Sequence, residues 1–267
     1  PVHYGGVPCD MESISVIAKK YNLSIIEDAA HALGAKYSDG SMVGSCKFSH
    51  MTGFSFHPVK SIAAGEGGMI TTNDENIHKK LIRLRSHGIN KLDDSFINIK
   101  QSKSEGLSNP WYYEMQDLGY NYRITDFQSA LGKSQLKKLN LFIDRRIDLV
   151  KRYDKAFSKF KYLKTIQSEF RAKSSHHLYV VKINFKKINI TRAELMIKLR
   201  DYGIITQVHY IPVTQHPFYE KLGYNSENIK NSINFYNMCL TLPLYYSLKD
   251  DEQDYIIEKI HQIIEEK

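Results

Sequence analysis

Apolar and polar positions along the chain follow two periods, one helical and one strand-like. MESISVIAKK, residues 11–20, keeps helical spacing behind Asp10, and predicts a helix ending near Tyr21-Asn22. LSIIED, 23–28, follows as a short buried strand, and MTGFSF (51–56) and GGMITTN (67–73) read as two more. DENIHKKLIRLRSH, 74–87, opens acidic, closes basic and stops at Gly88, the signature of a helix that complements its own dipole. Strands that alternate with helices predict an α/β layer with a largely parallel sheet.

Residues 90–117 are polar, contain Asn109-Pro110 and predict a long loop. Thr125-Asp126-Phe127-Gln128 is a capping-box pattern that opens a long helix toward Phe157, with Phe127, Leu131, Leu139, Ile143, Ile147 and Val150 at roughly helical spacing. The rhythm then changes. HHLYVVKINF (176–185) and IITQVHY (204–210) read as strands, TRAELMIKLRDYG (191–203) as a second capping-box helix, and DDEQDYIIEKIHQIIEE (250–266) as a terminal helix. The expected organisation is a large α/β domain over 1–140 and a small α+β domain over 141–267, split inside the long helix.

Composition narrows the function classes. With 267 residues, 42% hydrophobic and 25% charged, the chain has the balance of a globular protein. No apolar run reaches the roughly 18 residues of a membrane span, and no signal-peptide pattern stands at the front, so no membrane partner is expected. The three cysteines, Cys9, Cys46 and Cys239, form no C-x-x-C pair, which suits reduced thiols and a cytoplasmic location. A net charge of +8 suits an anionic partner, either nucleic acid or a phosphorylated small molecule. The lysines are dispersed rather than gathered in a stripe, so most of the charge reads as solvated surface and no nucleic-acid partner is expected.

One stretch carries chemistry. FSFHPVKSIAAGEGG, 54–68, runs apolar to His57-Pro58, places Lys60 at the edge of what reads as core, and ends in glycines around Glu66. Asp28 stands where the run LSIIED ends. In a parallel sheet, ligands gather at the carboxyl ends of strands, which brings Asp28 and Lys60 to one crevice. Two readings stay open on the residues alone. The pair is a structural ion bridge, or Lys60 is a desolvated, nucleophilic Schiff-base lysine whose aldehyde partner is pyridoxal phosphate, with Asp28 against the pyridinium nitrogen. Ser55 could then donate its hydroxyl to the phosphate.

EDAAHALGA (27–35) together with FSFHPVKSIAAGEGG resembles the active-site pair of the DegT/DnrJ family of sugar aminotransferases. LGYNYRITDFQSALGKSQLKKL (118–139), SHGI (86–89), HYIP (209–212) and LPLYYSLKDDEQDYIIEKI (242–260) resemble further blocks of the same family, so the likeness runs along essentially the whole chain. NPWYYEMQDLGYNYRITDFQSALG is most similar to members acting on UDP-linked 4-keto deoxy sugars on the way to pseudaminic acid. The resemblance implies a fold-type I, pyridoxal phosphate-dependent enzyme: an α/β protein with a mainly parallel sheet in the large domain and a small C-terminal α+β domain. It also implies a homodimer with shared active sites, and L-glutamate as amino donor to the sugar ketone.

By the same likeness, Lys60 is the catalytic lysine that holds the cofactor aldehyde, and Asp28 pairs with the ring nitrogen. His31 approaches the ring or its 3-hydroxyl, Ser55 binds the phosphate, and Asn121 reaches the phosphate of the partner subunit's cofactor. His209 and Tyr210 are candidates for the sugar pocket, and Trp111, Tyr112 and Tyr113 for stacking on a base. On the residues alone, His31 reads equally as a hydrogen-bonded core histidine, Ser55 as a strand-face hydroxyl, Asn121 as a turn residue and Tyr210 as packing. Relatives that dehydrate sugars carry histidine in place of the lysine, and Lys60 argues against that chemistry. Family members also carry a substantial segment ahead of the block that PVHYGG resembles, with a phosphate-gripping loop and a ring-stacking aromatic. Neither is found here. The chain is therefore expected to be the C-terminal part of such an enzyme, a fragment that alone binds cofactor weakly or not at all; the alternative to the aminotransferase is a truncated non-catalytic remnant or cofactor-binding regulator on the same fold.

Overall fold

The computed structural model describes residues 1–91, 96–166 and 170–265. Local signals place its first elements. Asp10 accepts the Ser13 N–H at 3.1 Å and starts α1, Met11–Lys20. Strands β1 (Ile26–Asp28), β2 (Met51–Ser55) and β3 (Gly68–Thr71) form one sheet in that order. β1 and β2 are parallel, with Asp28 opposite Gly53, and β2 and β3 are antiparallel, with Ser55 opposite Gly68. A parallel bridge from Val2 to Asp28 extends the sheet beyond β1. The expected mixture of helices and strands is present, with parallel pairing around β1 and an antiparallel partner at the edge.

That edge is bare. Met69 and Ile70, neighbours on β3 and so on opposite faces of the sheet, are 54% and 51% exposed. Clefts of about 930 Å³ and 530 Å³ lie against β3, and both are lined by Phe54 and Met69.

Asp74 caps α2, Glu75–Arg85, by accepting from Asn76 and Ile77. The stretch expected to be one long loop holds short elements instead: β4 (Ile89–Asn90), α3 (Ile99–Ser102), β5 (Lys103–Ser104), β6 (Leu107–Ser108) and β7 (Glu114–Met115). β4 pairs with β7, and β5 with β6 around Glu105 and Gly106, both at positive φ. Such a turn needs no hydrophobic alternation, so periodicity did not announce it. Residues 92–95 of that stretch lie outside the described ones.

The expected long helix is two. The Thr125–Gln128 capping box starts α4, Asp126–Leu136, and α5 runs from Leu139 to Phe157. Lys138, at ψ 0°, leaves the helical path between them. The break lets Leu139 turn inward against Phe56, Ile62 and Ala64, while Leu136 stays exposed.

The remaining chain forms β8 (Leu163–Thr165), β9 (Tyr179–Ile183), α6 (Arg192–Asp201), α7 (Pro217–Lys221), α8 (Lys230–Met238), β10 (Cys239–Leu242) and α9 (Asp250–Glu265). β10, β9 and β8 make an antiparallel sheet in that order. The second capping box forms, Thr191 with Glu194, as its spacing predicts. Residues 204–210 do not form the expected strand. Only Gln207 pairs, exchanging both backbone bonds with Thr241, and the segment then leaves the sheet toward His209. The last residue of the expected terminal helix, 266, lies outside the described ones.

The larger core is built on α5. Leu149, Tyr153 and Phe157 of α5 join Val181, Leu195, Leu240, Ile256 and Ile260 in it. Met11, Ala29, Ala32, Ala35 and Tyr37 form another beneath β1. Among the described residues no helix is long and apolar enough to cross a membrane, no histidine, cysteine or carboxylate cluster could hold a metal, and Cys9, Cys46 and Cys239 are free.

Candidate active site

β1 alternates, and its alternation decides which carboxylate is available. Glu27 points inward and is 1% exposed, while Asp28, the last residue of the strand, lies open. Asp28 Oδ1 accepts the Ala30 N–H at 3.0 Å, and among the described residues no hydrogen bond reaches its other oxygen. The chain then turns twice, Ala32 N–H to Ala29 O and Ala35 N–H to Ala32 O, with all three alanines fully buried. Their small side chains let the turn lie close to the core, and His31 is carried, half-buried, beside the strand end.

Lys60 arrives from β2. After Ser55 the chain loops out and returns, closed by Lys60 N–H to His57 O (2.9 Å), Ala64 N–H to Phe56 O (2.9 Å) and Phe56 N–H to Gly67 O (2.8 Å). Gly67, at φ +143°, lets the return strand start. The loop leaves Lys60 half-buried. Burial lowers its pKa from the usual lysine range, and the Asp28 carboxylate pulls the other way without cancelling the effect.

His31 and His209 complete the inner ring. Burial drives the His31 pKa down to about 4, with Lys60 and His209 adding to the shift and Asp28 opposing it. Burial and the Lys60 charge lower His209 as well. His209 Nδ1 lies 2.9 Å from Thr241 Oγ1, and its carbonyl accepts from the Tyr4 hydroxyl. Asp28, His31, Lys60 and His209 thus share one electrostatic neighbourhood drawn from three separate stretches of chain.

The other expected residues are placed less centrally. Ser55 sits at the base of the Lys60 loop, where its hydroxyl oxygen accepts the His57 N–H at 3.4 Å. Tyr210 is 67% exposed and leans on the His216 ring. Asn121 is exposed and bridges Ser86 through its backbone, and among the described residues no hydrogen bond, ion pair or ring contact joins it to the Lys60 cluster. Trp111 and Tyr113 are exposed, and Tyr112 packs edge-on against Phe96 instead.

Two residues join the site that sequence reasoning missed. Tyr4 sets its ring edge-on to His31 and to Phe235. His177 packs against His31 with the rings tilted by 37° and their centroids 4.6 Å apart. Both sat in stretches legible only as strand or turn, and the doubled histidine ahead of an apolar strand was the one available hint.

Comparison with known proteins identifies the family. A model of the DegT/DnrJ/EryC1/StrS aminotransferase family matches residues 1–261. The spore coat polysaccharide biosynthesis protein SpsC of Bacillus subtilis is 40% identical over 266 residues, covering 99% of this chain and 66% of that protein. The UDP-4-amino-4,6-dideoxy-N-acetyl-beta-L-altrosamine transaminase of Campylobacter jejuni is 37% identical over 264 residues, covering 99% of this chain and 65% of that one. The structure of Helicobacter pylori PseC, an aminotransferase in the biosynthesis of pseudoaminic acid, superposes with a TM-score of 0.87 at 31% identity, covering 100% of this chain and 66% of that one. The chain thus spans about two thirds of the length of the relatives it matches. With its motifs, fold and family match in agreement over nearly every residue, the chain belongs to the DegT/DnrJ/EryC1/StrS aminotransferase family.

Proposed function

We propose that this chain carries the lysine half of a pyridoxal phosphate-dependent site that moves an amino group from an amino acid, L-glutamate, to the 4-keto carbon of a UDP-linked deoxy sugar. The observation that carries the reading is Lys60 itself, a half-buried amine with a lowered pKa, set beside the one exposed carboxylate at the end of β1. Members of the family use pyridoxal phosphate, and the residues present fit it. The second oxygen of Asp28 is free for a ring N–H, and Lys60 supplies an amine.

When bound, pyridoxal phosphate supplies an aldehyde carbon that takes up amino groups and a ring that accepts electrons. The chain's own groups do the rest. Asp28 would pair with the ring nitrogen and hold its proton. Nζ of Lys60 removes the proton from the donor's α carbon and, in the second half-reaction, delivers one to C4 of the sugar. Its lowered pKa leaves more of the amine neutral and able to accept. His31 would face the ring oxygen, Ser55 and the turn after it would hold phosphate oxygens, and His209 and Tyr210 would border the sugar. The exchange balances: the donor's C–NH₂ and its hydrogen become C=O, and the sugar's C=O becomes CH–NH₂.

Asn121, exposed and apart from the Lys60 cluster, suits a contact across a homodimer in which each subunit finishes its partner's site. The product is an amino sugar of the pseudaminic acid type, made in the cytoplasm. Absorbance of the purified protein with pyridoxal phosphate, for wild type and Lys60→Ala, tests the reading together with mass spectrometry of a UDP-linked 4-keto sugar incubated with L-glutamate. The expected result is a visible band and an aminated sugar in wild type, both lost in Lys60→Ala. Identical spectra for the two proteins would sink it.

A further inference from the structure

His177 is 6% exposed and fixed from three sides. Arg146, from α5, donates through Nη1 to the carbonyl oxygens of Leu244 (2.9 Å), His177 (3.1 Å) and His176 (3.3 Å). Ser175 N–H donates to Gly6 O, and its hydroxyl to the His31 carbonyl at 3.2 Å. Leu178 N–H donates to Gly5 O. The His177 ring is thereby laid on His31 at 4.6 Å and 37°.

Hydrogen bonds assign the protons of both rings. Gly5 N–H donates to Nδ1 of His31 at 3.3 Å, so that nitrogen carries a lone pair and a neutral His31 has its hydrogen on Nε2. Nδ1 of His177 is buried without a partner. An N–H there would lack an acceptor, and an imidazolium would bury a charge as well, so the neutral Nε2–H form is again the one that costs least. The groups around His31 are Lys60, Asp28, His209 and the Tyr4 ring. Those around His177 are His31, Arg146, Lys60 and His209. All the titratable ones but Asp28 and Tyr4 are cationic or become so, and each opposes a further positive charge.

We propose that His177 is a positioning residue: by packing against His31 and excluding water from one face, it holds His31 as the neutral Nε2–H tautomer beside Lys60, so that the site offers a hydrogen-bond donor rather than a second cation. The use of that donor, toward the anionic ring oxygen of the cofactor, rests on the function proposed above. Burial is the leading cause of the low pKa of both histidines, about 4 for His31 and about 2 for His177, and each ring supplies part of the other's burial.

The test is imidazole ¹⁵N–¹H NMR of the protein without cofactor or sugar, titrated from neutral pH down to about pH 4, with His31 assigned by His31→Gln. Wild type is expected to show His31 neutral, protonated on Nε2, well below the usual histidine range. His177→Ala should raise the His31 midpoint by about one pH unit or more, and His177→Phe, which keeps a ring packed there, should restore the low value. Equal midpoints in wild type and His177→Ala would overturn the proposal. So would wild-type His31 carrying its proton on Nδ1, a result that does not depend on either His177 variant folding. Because no cofactor is present, failure here leaves the amino-transfer reading standing, and failure of the absorbance test leaves this one standing.

Discussion

Glu27 and Asp28, consecutive on β1, turn their carboxylates to opposite sides of the strand. Glu27 accepts from His3 Nε2 (2.7 Å), Tyr37 Oη (2.6 Å), Thr52 Oγ1 (3.0 Å) and Ser49 Oγ, whereas Asp28 keeps one oxygen free. The buried carboxylate gathers the strand's surroundings, and the exposed one is left for chemistry.

The two should therefore separate cleanly under substitution. Glu27→Ala strands four donors in the core and is expected to cost about 3 kcal/mol or more in urea unfolding. Asp28→Ala should leave stability within about 0.5 kcal/mol and remove pyridoxal phosphate binding, read by absorbance. Equal effects of the two on stability would contradict the division.

Buried neutral histidines give the fold an early acid limit. His31 and His176 have pKa values lowered to about 4 and His177 to about 2, in each case chiefly by burial. The unfolded chain binds these protons first, so the stability they confer is complete above about pH 6.5 and is lost as pH falls from there toward the folded values. His177, the most buried, contributes up to about 1.4 kcal/mol per pH unit in that window. Urea midpoints measured from pH 7 to 5 should fall in wild type and fall less steeply in His177→Phe.

Glu27 adds a second limit. Burial pushes its carboxyl up, but the bonds from His3, Ser49 and Tyr37 outweigh that and hold it below the ordinary 4.5. Its contribution is present above about pH 4.5 and disappears as pH drops through the folded value. The acid arm of the stability curve below about pH 4.5 should be shallower in Glu27→Gln than in wild type.

Gly88 and Gly119 meet backbone to backbone. A Cβ on Gly88, which sits at φ +70°, would lie 1.7 Å from the Asp117 carbonyl oxygen, and one on Gly119 would lie 2.0 Å from Gly88 N. Gly88→Ala is expected to destabilise by about 2 to 4 kcal/mol. Gly40→Ala, at φ +87° with open space around it, should cost only about 1 kcal/mol, which thermal melts of the two variants will separate.

Most of what the residues announced was local. Asp10, Asp74, Thr125 and Thr191 each cap the helix their spacing predicts, because a cap is decided within four residues. The break at Lys138 was not legible, since it depends on Leu139 reaching Phe56 and Ile62, which are distant in sequence. Nor was the loss of a strand at 204–210, where only Gln207 pairs, with Thr241. The site divides in the same way. Asp28 ends β1 and Lys60 lies in the loop after β2, both strands that the pattern revealed, while His177 and Tyr4 are brought in by contacts across the fold that no spacing encodes.

Arg146 ties three carbonyls with one guanidinium and has no carboxylate opposite it. The setting of His177, and through it of His31, is therefore inherited from the pitch and seating of α5. Variation at positions that never meet a substrate can retune the site by tilting that helix. Selection thus has a route to altered chemistry through the scaffold, with Asp28 and Lys60 left unchanged.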